Sequence, residues 1–481
     1  MSVDTPATLL KLARQALLRD EALAIWGLEQ LPRELLPALF KEAFTGRHTL
    51  LVKATVASWP FPCLPVGALM KTPDLETFQA VLAGVDMRLK KKPQPRTGKL
   101  QVVDLSNEQH PFWSLWAGAE HGGCSAEGLD EMRAEKVLPR YALRQRLKVV
   151  VELCLRPRPN PQQACFLQWA QQRQGSLHLC CRKMQIWAQP LHGVRQILTV
   201  FPPEHLEELE LNTEWNVSTL AQFAPCLGQM RNLRKLSLAP ISKNVFRLGP
   251  RTRDGEEKCV RKFLSQFSRF NCLRHLSLRR VDFLRDHMRQ ALGCLVTPLE
   301  TLSITYHLVS QADLKYLSVC PNLFQLKHLD MRGMVLTSLD VTPLRVLLNQ
   351  VAETLHSLDL RGCKMRDSHL TVLTPALGKC SQLTKVHFVD NEFSMPILKE
   401  LWQHTDNWSK MEVEQYPAPL ECYGASGYVS VRRFAQLCPE LLATLRAFRQ
   451  PKSIVFATAI CPQCGVRSFY DLAPRLCYCR R

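Results

Sequence analysis

The sequence of 481 residues predicts an α/β solenoid, in which short strands and helices alternate and each unit packs on its neighbours. Three observations indicate this fold: a leucine phrase recurs, its spacing is nearly constant, and leucines at helical spacing follow it. The phrase Leu-x-x-Leu-x-Leu, or a close variant, begins at Leu206, Leu233, Leu273, Leu299, Leu326, Leu355 and Leu383. The steps between these leucines are 26 to 29 residues, apart from one step of 40 residues. This period is typical of a leucine-rich repeat horseshoe.

Each repeat is predicted to contain a strand followed by a helix. Leu358 and Leu360 lie on one face of such a strand because successive side chains alternate between its two faces. Leu370, Leu373 and Leu377 then follow at helical spacing.

The 40-residue step contains a charged insertion around residues 242–258. Gly249-Pro250 and Asp254-Gly255 are dipeptides typical of turns, so we expect this insertion to be a loop that leaves the array.

The pattern divides the chain into an N-terminal helical module, degenerate N-terminal repeats with a cap, regular leucine-rich repeats, and a C-terminal cap with a cysteine cluster. The predicted boundaries of these four segments are 1–98, 99–205, 206–410 and 411–481. The first segment is predicted to be helical because Leu9, Leu12, Ala13, Ala16 and Leu17 make one apolar stripe.

Cysteine content and hydropathy indicate the cellular compartment. Nineteen cysteines, together with an N-terminus that does not resemble a secretory leader, indicate a reducing environment, and we expect the cytoplasm. A basic cluster between Arg88 and Lys99 leaves a nuclear location open as well. No uncharged run is long enough to cross a bilayer, so we expect no membrane partner.

The net charge of +19 is spread along the chain, whereas a nucleic-acid binder needs its positive charge gathered in one patch. Positions three, five and seven of the phrases should form the concave face, and they carry five positive and four negative side chains. Nucleic acid is therefore not a predicted partner.

The concave face offers mixed charges instead. The candidate substrate-binding residues on it are Arg279, Asp330, Arg332, Asp359, Arg361 and His387. If the strands are parallel and in register, the two aspartates and the two arginines form adjacent rows. Two interpretations stay open: the rows recognise a peptide or a protein surface, or they pair with each other on a solvated sheet.

The sequence contains no phosphate-cradling glycine loop, metalloprotease helix, nucleophile elbow or kinase signature. It therefore predicts no catalytic residues and a protein that is not an enzyme.

One cysteine motif stands near the C-terminus. Cys461 and Cys464 form a Cys-x-x-Cys pair, and Cys477 and Cys479 follow with one residue between them. Four thiolates can hold a structural zinc ion, and packed or surface thiols are the alternative. No other cofactor is predicted.

Leu344, Leu347 and Leu348 match the Leu-x-x-Leu-Leu helix that docks into nuclear-receptor grooves. They also occupy the helical half of a repeat, where leucines belong to the core, and this second interpretation is favoured.

Segments along nearly the whole chain resemble the PRAME family, named for a preferentially expressed antigen of melanoma. The matching segments, in order, are Arg19–Ile25, Leu31–Leu35, Trp59–Pro65, Lys99–Leu105, Leu227–Met230, Pro298–Ile304 and the terminal cysteines. The ending Cys479-Arg480-Arg481 departs from the uncharged ending usual in the family.

The resemblance implies a non-enzymatic substrate adaptor of a cullin-2 RING ubiquitin ligase that promotes proteasomal degradation of a bound protein. The residues implied to contact elongin C are Thr8, Leu9, Ala13 and Leu17, and those implied to contact cullin-2 are Leu31, Pro32 and Leu35. The family usually has Cys where this chain has Ala13. We expect Pro32 to start a second helix.

The resemblance also implies negative regulation of transcription, differentiation and apoptosis, and positive regulation of proliferation. Two alternatives are kept. In the first, the protein is a transcriptional corepressor that binds a nuclear receptor without recruiting a ligase. In the second, the N-terminal segments only pack against the first repeat.

Overall fold

The computed structural model describes residues 9–70, 74–90, 100–106, 112–113, 146–213, 215–240, 251–424, 427–477 and 479. The chain divides into two compact units. The first unit comprises Met1–Met184 and Arg195–His205, and the second comprises Gln185–Val194 and Leu206–Arg481.

The first unit combines helices with a parallel sheet. Its helices are α1 (Leu9–Arg19), α2 (Glu21–Gly27), α3 (Leu35–Thr45), α4 (Thr49–Ala57), α5 (Leu75–Lys90) and α6 (Pro161–Gln172). Its strands are β1 (Cys63–Pro65), β2 (Val102–Asp104) and β3 (Lys148–Leu155). Strand β4 (His178–Trp187) and helix α7 (Leu191–Val200) have residues in both units. The order of the sheet is β1-β2-β3-β4, so β1, from the predicted helical module, belongs to the same sheet as β2.

Aromatic side chains form the core of the first unit. Phe40 of α3 packs edge-on against Trp59 with ring centroids 5.4 Å apart, and it stacks on Trp113 at 6.2 Å. Phe112 packs against both tryptophans. Because these rings are almost fully buried, they supply much of the apolar area that holds the helices together.

The second unit repeats a strand and a helix. Its strands are β5 (Glu208–Asn212), β6 (Lys235–Ala239), β7 (His275–Arg279), β8 (Thr301–Thr305), β9 (His328–Asp330), β10 (Ser357–Asp359), β11 (Lys385–His387), β12 (Val413–Pro417), β13 (Ile454–Ala457), β14 (Phe469–Tyr470) and β15 (Pro474–Arg475). Its helices are α8 (Val217–Leu227), α9 (Arg251–Leu264), α10 (Met288–Gly293), α11 (Gln311–Val319), α12 (Thr342–Gln350), α13 (Asp367–Leu377), α14 (Met395–Gln403) and α15 (Val431–Phe448).

The leucine phrase sets the register of this unit. The fourth positions of consecutive phrases lie side by side on parallel strands, from Leu209 beside Leu236 to Leu329 beside Leu358. Each of these leucines is buried. The predicted leucine-rich repeat fold is thus confirmed.

The parallel ladder continues beyond the predicted boundary at residue 410. Strands β12 and β13 add to it in parallel, and only β14 and β15 then pair antiparallel as a small cap. The pattern missed β12 because Glu414 stands in the row that is apolar in every earlier strand, between Val386 and Ile454.

Glu414 is buried without exposed side-chain surface and forms an ion pair with Arg449, which directly follows α15. Arg449 Nη2 donates to Glu414 Oε2 at 2.6 Å, and the Tyr416 hydroxyl donates to the same oxygen at 2.8 Å. The guanidinium also lies over the ring of Trp408 at 5.3 Å. A carboxylate is tolerated in the core here because a charged partner and a hydroxyl satisfy it.

The expectation of a loop within the insertion is wrong from Arg251 onwards, because α9 begins there and includes Asp254 and Gly255. The physical reason is burial. Val260, Phe263 and Leu264 enter the core at helical spacing and outweigh the local turn preference. Residues 241–250 lie outside the described residues.

Among the described residues, no helix combines the length and the apolar character needed to cross a membrane.

Candidate functional site

Helices α1 and α2 expose large apolar side chains, which we call the N-terminal apolar surface. Leu9 is 85% exposed, Leu12 51%, Leu23 56% and Trp26 73%. Isolated exposed apolar residues are common, but four of them on two consecutive short helices are a feature of interaction surfaces.

Helix α1 is held by its opposite side. Arg14 is buried and forms an ion pair with Glu42 of α3, with Nε and Oε1 2.9 Å apart. Asp20 caps α2, since its Oδ1 accepts the backbone N–H of Leu23 at 3.0 Å. Glu21 of α2 contacts His48 at 2.9 Å and accepts the N–H of Leu51 at 3.3 Å. The contacts of Arg14 and Glu21 therefore hold α1 and α2 while Leu9, Leu12, Leu23 and Trp26 stay exposed.

Of the predicted elongin-binding residues, Leu9 and Ala13 are exposed and Leu17 is half-buried, whereas Thr8 lies outside the described residues. The alternative that the N-terminal segments only pack against the first repeat finds no support in the exposure of Leu9.

The expectation that Pro32 starts a helix is wrong. Helix α3 starts at Leu35, and Pro32 instead opens a turn in which its carbonyl accepts the N–H of Leu35 at 3.0 Å. Leu31 and Leu35 are half-buried and Pro32 is exposed. Leu36, Pro37, Leu39 and Phe40 of α3 are buried, so packing of this helix decides where it begins.

The second candidate surface is the exposed side of strands β5 to β11, which we call the strand face. Its register places Asp330 directly beside Asp359, and Asp359 beside His387. Arg332 and Arg361 follow two residues later in each repeat, and Arg279 lies exposed at the end of β7.

The aspartates and arginines of the strand face pair with each other. Arg332 donates from Nη2 to Asp330 Oδ2 at 2.7 Å, and Arg361 donates from Nη2 to Asp359 Oδ2 at 2.6 Å. Nε of each arginine donates to the same carboxylate at 3.0 Å, so both pairs are bidentate. Arg332 also approaches Asp359 at 3.4 Å, which links the two pairs.

This pairing fixes the guanidinium groups but leaves some of their N–H donors unused. A bidentate contact uses two of the five N–H donors of an arginine, and the remaining donors can meet a ligand. Held in this way, Arg332 and Arg361 lose less side-chain entropy on binding than free arginines would. The two interpretations of the strand face are therefore compatible.

A cleft of about 700 Å³ is lined by residues that lie in or shortly after strands β8 to β14. Its lining is Tyr306, Arg332, Gly333, Val335, Arg361, Gly362, Lys364, Val389, Asp390, Gln415, Val455, Ala457, Arg467 and Phe469. Aromatic, aliphatic and charged side chains thus meet in one depression, which suits a peptide segment with both apolar and polar groups.

Tyr306 forms one wall of the cleft and rests on Gly333. A Cβ at Gly333 would overlap the tyrosine ring, and the φ of Gly333 is +69°, a value that favours glycine. The guanidinium groups of Arg279 and Arg280 lie 5.9 and 5.6 Å from the ring centroid. Tyr306 is therefore held between a backbone and two cations.

The cap supplies the opposite wall. Arg467 makes two hydrogen bonds to Asp390, from Nη1 to Oδ1 and from Nη2 to Oδ2, each 3.1 Å long. Phe469 of β14 lies beside it in the lining.

Sequence reasoning missed Tyr306, Gly333, Asp390, Arg467 and Phe469. The one available signal was the phrase Asp-x-Arg-Gly, which occurs at Asp330 and again at Asp359 in the next repeat.

Burial lowers the pKa of His387 below the ordinary value; Asp359 opposes this shift, and Arg361 and Arg332 reinforce it. Burial also lowers the pKa values of His275 and His328 on the same face. These imidazoles are therefore neutral near neutral pH, and the strand face gains no positive charge from them.

Leu344, Leu347 and Leu348 of α12 are all buried in the array. The core interpretation of this motif is confirmed.

The sulfur atoms of Cys461, Cys464 and Cys477 lie within 4.8 Å of one another in the cap. Cys479, two residues after Cys477, is exposed and lies outside this group of three. A hydrogen bond from the backbone of Val466 lowers the pKa of the Cys464 thiol to about 6. Three of the four predicted cysteines therefore meet in space.

A second small cluster, which the sequence did not suggest, lies in the first unit. His178, Cys180 and His205 have ligand atoms within 4.8 Å of one another, and the two Nε2 atoms are 3.0 Å apart. Burial lowers the pKa of His178, and the charge of His205 lowers it further. In this contact one Nε2–H donates the hydrogen bond and the other Nε2 accepts it through its lone pair.

Comparisons with known proteins cover the whole chain. The family model for the PRAME N-terminal domain matches residues 6–113, and that for the PRAME C-terminal domain matches residues 147–479. The chain is 46% identical over 480 residues to human PRAME family member 12, covering 99% of this chain and 98% of that protein. It is 44% identical to human PRAME family member 8, with both chains covered completely.

Solved structures that resemble the chain are distant leucine-rich repeat proteins. The leucine-rich repeat-containing protein LegL7 from Legionella pneumophila is 15% identical, with a TM-score of 0.38 over 66% of this chain and 92% of that one. The leucine-rich repeat protein LIC12759 from Leptospira interrogans is 11% identical, with a TM-score of 0.30 over 79% and 92%.

Proposed function

Because the chain belongs to the PRAME family, we propose that it is a non-enzymatic substrate-recognition adaptor of a cullin-2 RING ubiquitin ligase. The N-terminal apolar surface docks on elongin C, and Leu31, Pro32 and Leu35 contact cullin-2. The strand face with its cleft holds a protein substrate. Catalysis lies in the partner subunits. Loss of the substrate by proteasomal degradation then represses transcription, differentiation and apoptosis and favours proliferation, with the cytoplasm as the main location.

The observation that carries this proposal is the exposure of Leu9, Leu12, Leu23 and Trp26 on α1 and α2. Burying such side chains fully in a partner gains about 1.5–3 kcal/mol each. Arg14 already orients α1 on the body of the first unit, so docking needs little rearrangement.

The strand face supports the substrate half of the proposal. Prearranged arginines and a cleft with an aromatic wall provide directional contacts and apolar area together, which is how protein-binding surfaces combine specificity with affinity.

The alternative, a corepressor that binds a nuclear receptor, receives less support. The leucines it would use, Leu344, Leu347 and Leu348, are core residues of α12, so docking through them would require the repeat to open.

Affinity purification of the full chain from cells tests the proposal. Wild type should recover elongin C, cullin-2 and ubiquitylated substrate. Leu9→Asp with Pro32→Ala should lose elongin C and cullin-2 but keep the substrate, whereas Arg332→Ala with Arg361→Ala should do the reverse. Leu472→Asp is the matched control for Leu9→Asp, because Leu472 is also exposed, at 77%, and lies in the cap. Equal recovery of elongin C by wild type and Leu9→Asp with Pro32→Ala would refute the adaptor function.

A further inference from the structure

We propose that Cys461, Cys464, Cys477 and Cys479 bind one structural zinc ion that holds the C-terminal cap together. The ligand set is drawn from two loops of the cap. Cys461 and Cys464 lie between β13 and β14, and Cys477 and Cys479 follow β15.

The geometry of the sulfurs fits tetrahedral coordination. Zn–S bonds are about 2.3 Å long, so four thiolates around one ion lie about 3.8 Å from each other. The Sγ atoms of Cys461, Cys464 and Cys477 are already within 4.8 Å of one another. The fourth thiolate would come from Cys479, two residues after Cys477, once its exposed side chain turns toward the other three. Small side-chain adjustments would complete the site.

The backbone around Cys461 and Cys464 forms the tight turn that such a pair needs. The N–H of Gly465 donates to the Cys461 carbonyl at 2.9 Å, and the N–H of Cys461 donates to the Val466 carbonyl at 3.1 Å. Gly465 has a φ of +69°, and a Cβ at this position would meet no heavy atom within 4 Å, so the backbone conformation alone favours glycine here. Both sulfurs of the pair thereby face the same point.

Hydrogen bonds bring the second pair to this turn. The N–H of Cys477 donates to Ser468 Oγ at 3.0 Å, and the N–H of Ser468 donates to Thr458 Oγ1 at 3.0 Å. Thr458 in turn donates its N–H to the Ser468 carbonyl at 2.9 Å. The buried Ser468 and Thr458 thus connect the two cysteine pairs.

The segment that carries the cysteines, from Thr458 to Cys477, has little apolar core of its own. Ile460, Val466 and Leu472 are exposed, and β14 and β15 have two residues each. Segments this small usually need a disulfide or a metal to hold a fixed structure. In a reducing compartment a metal ion is the suitable means.

The zinc ion would also position one wall of the cleft. Arg467 and Phe469 line the cleft and directly follow the first cysteine pair along the chain. This consequence, unlike the zinc site itself, rests on the proposed function.

The metal content of the full-length chain, purified without chelator and measured by mass spectrometry, tests the site. We expect one zinc per chain in wild type and at least a tenfold loss in Cys461→Ser with Cys464→Ser. Cys259→Ser with Cys272→Ser is the matched control and should keep the zinc, since these half-buried cysteines lie outside the cluster. Zinc well below one per chain after incubation of the reduced wild type with zinc would overturn the proposal, as would equal zinc in wild type and the first variant.

X-ray absorption at the zinc edge of the wild type does not depend on whether a variant folds. We expect four sulfur neighbours at about 2.3 Å. Three sulfurs with one nitrogen or oxygen would overturn the four-cysteine assignment. Removing zinc with a chelator should also weaken substrate retention but not capture of elongin C. If zinc is present and substrate retention is unchanged, the role at the cleft fails while the zinc site stands.

Discussion

The N-terminal apolar surface and the strand face are both exposed, but their chemistry is opposite. The first consists of largely apolar leucine and tryptophan side chains, so the free energy of binding comes from the apolar area that is buried and from shape complementarity. The second consists of charged side chains already paired with each other, so its gains come from direction and charge. An apolar surface suits a constant partner, and a preorganised polar surface suits discrimination between partners.

The largest expected effect concerns the core of the repeat array that carries the strand face, as opposed to the N-terminal apolar surface. Arg449→Met leaves Glu414 buried and unpaired, which should lower the free energy of unfolding by about 3–5 kcal/mol. Chemical denaturation followed by circular dichroism measures this change, and capture of elongin C at low temperature should persist.

Glu414→Leu with Arg449→Met is the companion to that variant, because leucine restores the apolar row between Val386 and Ile454. Replacing both members of a buried pair is often close to neutral. A double variant no more stable than Arg449→Met would show that the unpaired carboxylate of Glu414 is not the cause of the loss of stability.

The next effect concerns the N-terminal apolar surface. Leu23→Asp with Trp26→Asp should weaken elongin C binding by roughly 30-fold or more, about 2 kcal/mol, since buried aromatic side chains carry much of an interface's affinity. The melting temperature should hardly change because both side chains are exposed. Surface plasmon resonance with purified elongin C gives the affinity. Unchanged affinity would remove these two residues from the docking surface.

A smaller effect tests the wall of the cleft. Gly333→Ala should displace the Tyr306 ring and weaken substrate retention several-fold, with a folding cost of about 1–2 kcal/mol from the left-handed backbone. Gly427→Ala is the matched control, because Gly427 has a similar φ of +74° with open space around it. If both variants retain substrate equally, the Tyr306 wall does not take part in binding.

The smallest expected effect is a pH dependence of stability that arises from histidines on the strand face. Burial lowers the pKa values of His275, His328 and His387, so at pH values below about 6.5 the unfolded chain binds more protons than the folded one. Stability should therefore fall as the pH drops through this range. Melting temperatures at about pH 7.5 and 5.5 should differ less for the triple His→Gln variant than for wild type. If the melting temperature falls equally in both proteins, the three histidines do not cause the pH dependence.

The repeat array could be predicted from the sequence because leucines at fixed positions mark the buried side of each repeat. The sequence was insufficient for β12, where Glu414 takes the place of an apolar residue and its partner Arg449 lies 35 residues away. Helix α9 was missed for a related reason, since burial of Phe263 and Leu264 overrides the local signal of Asp254-Gly255.

The contacts of the candidate surfaces, too, could be predicted from the sequence only in part. The rows of Asp330 and Asp359 follow from the repeat, whereas the contact of Arg467 with Asp390 joins residues 77 positions apart. The exposure of Leu23 and Trp26 depends on how α2 is held through Glu21, whose carboxylate contacts His48 and accepts the N–H of Leu51, and periodicity alone does not reveal these contacts. Side chains that meet only through tertiary packing carry no shared pattern in the sequence.

Calorimetric titration of purified elongin C into the purified full chain tests the central claim most directly. The account predicts saturable binding of one elongin C per chain, abolished by Leu9→Asp with Leu12→Asp and unaffected by Arg332→Ala with Arg361→Ala. Absence of heat with wild type, or equal binding by the Leu9 and Leu12 variant, would contradict the claim that the exposed N-terminal helices exist to recruit a ligase.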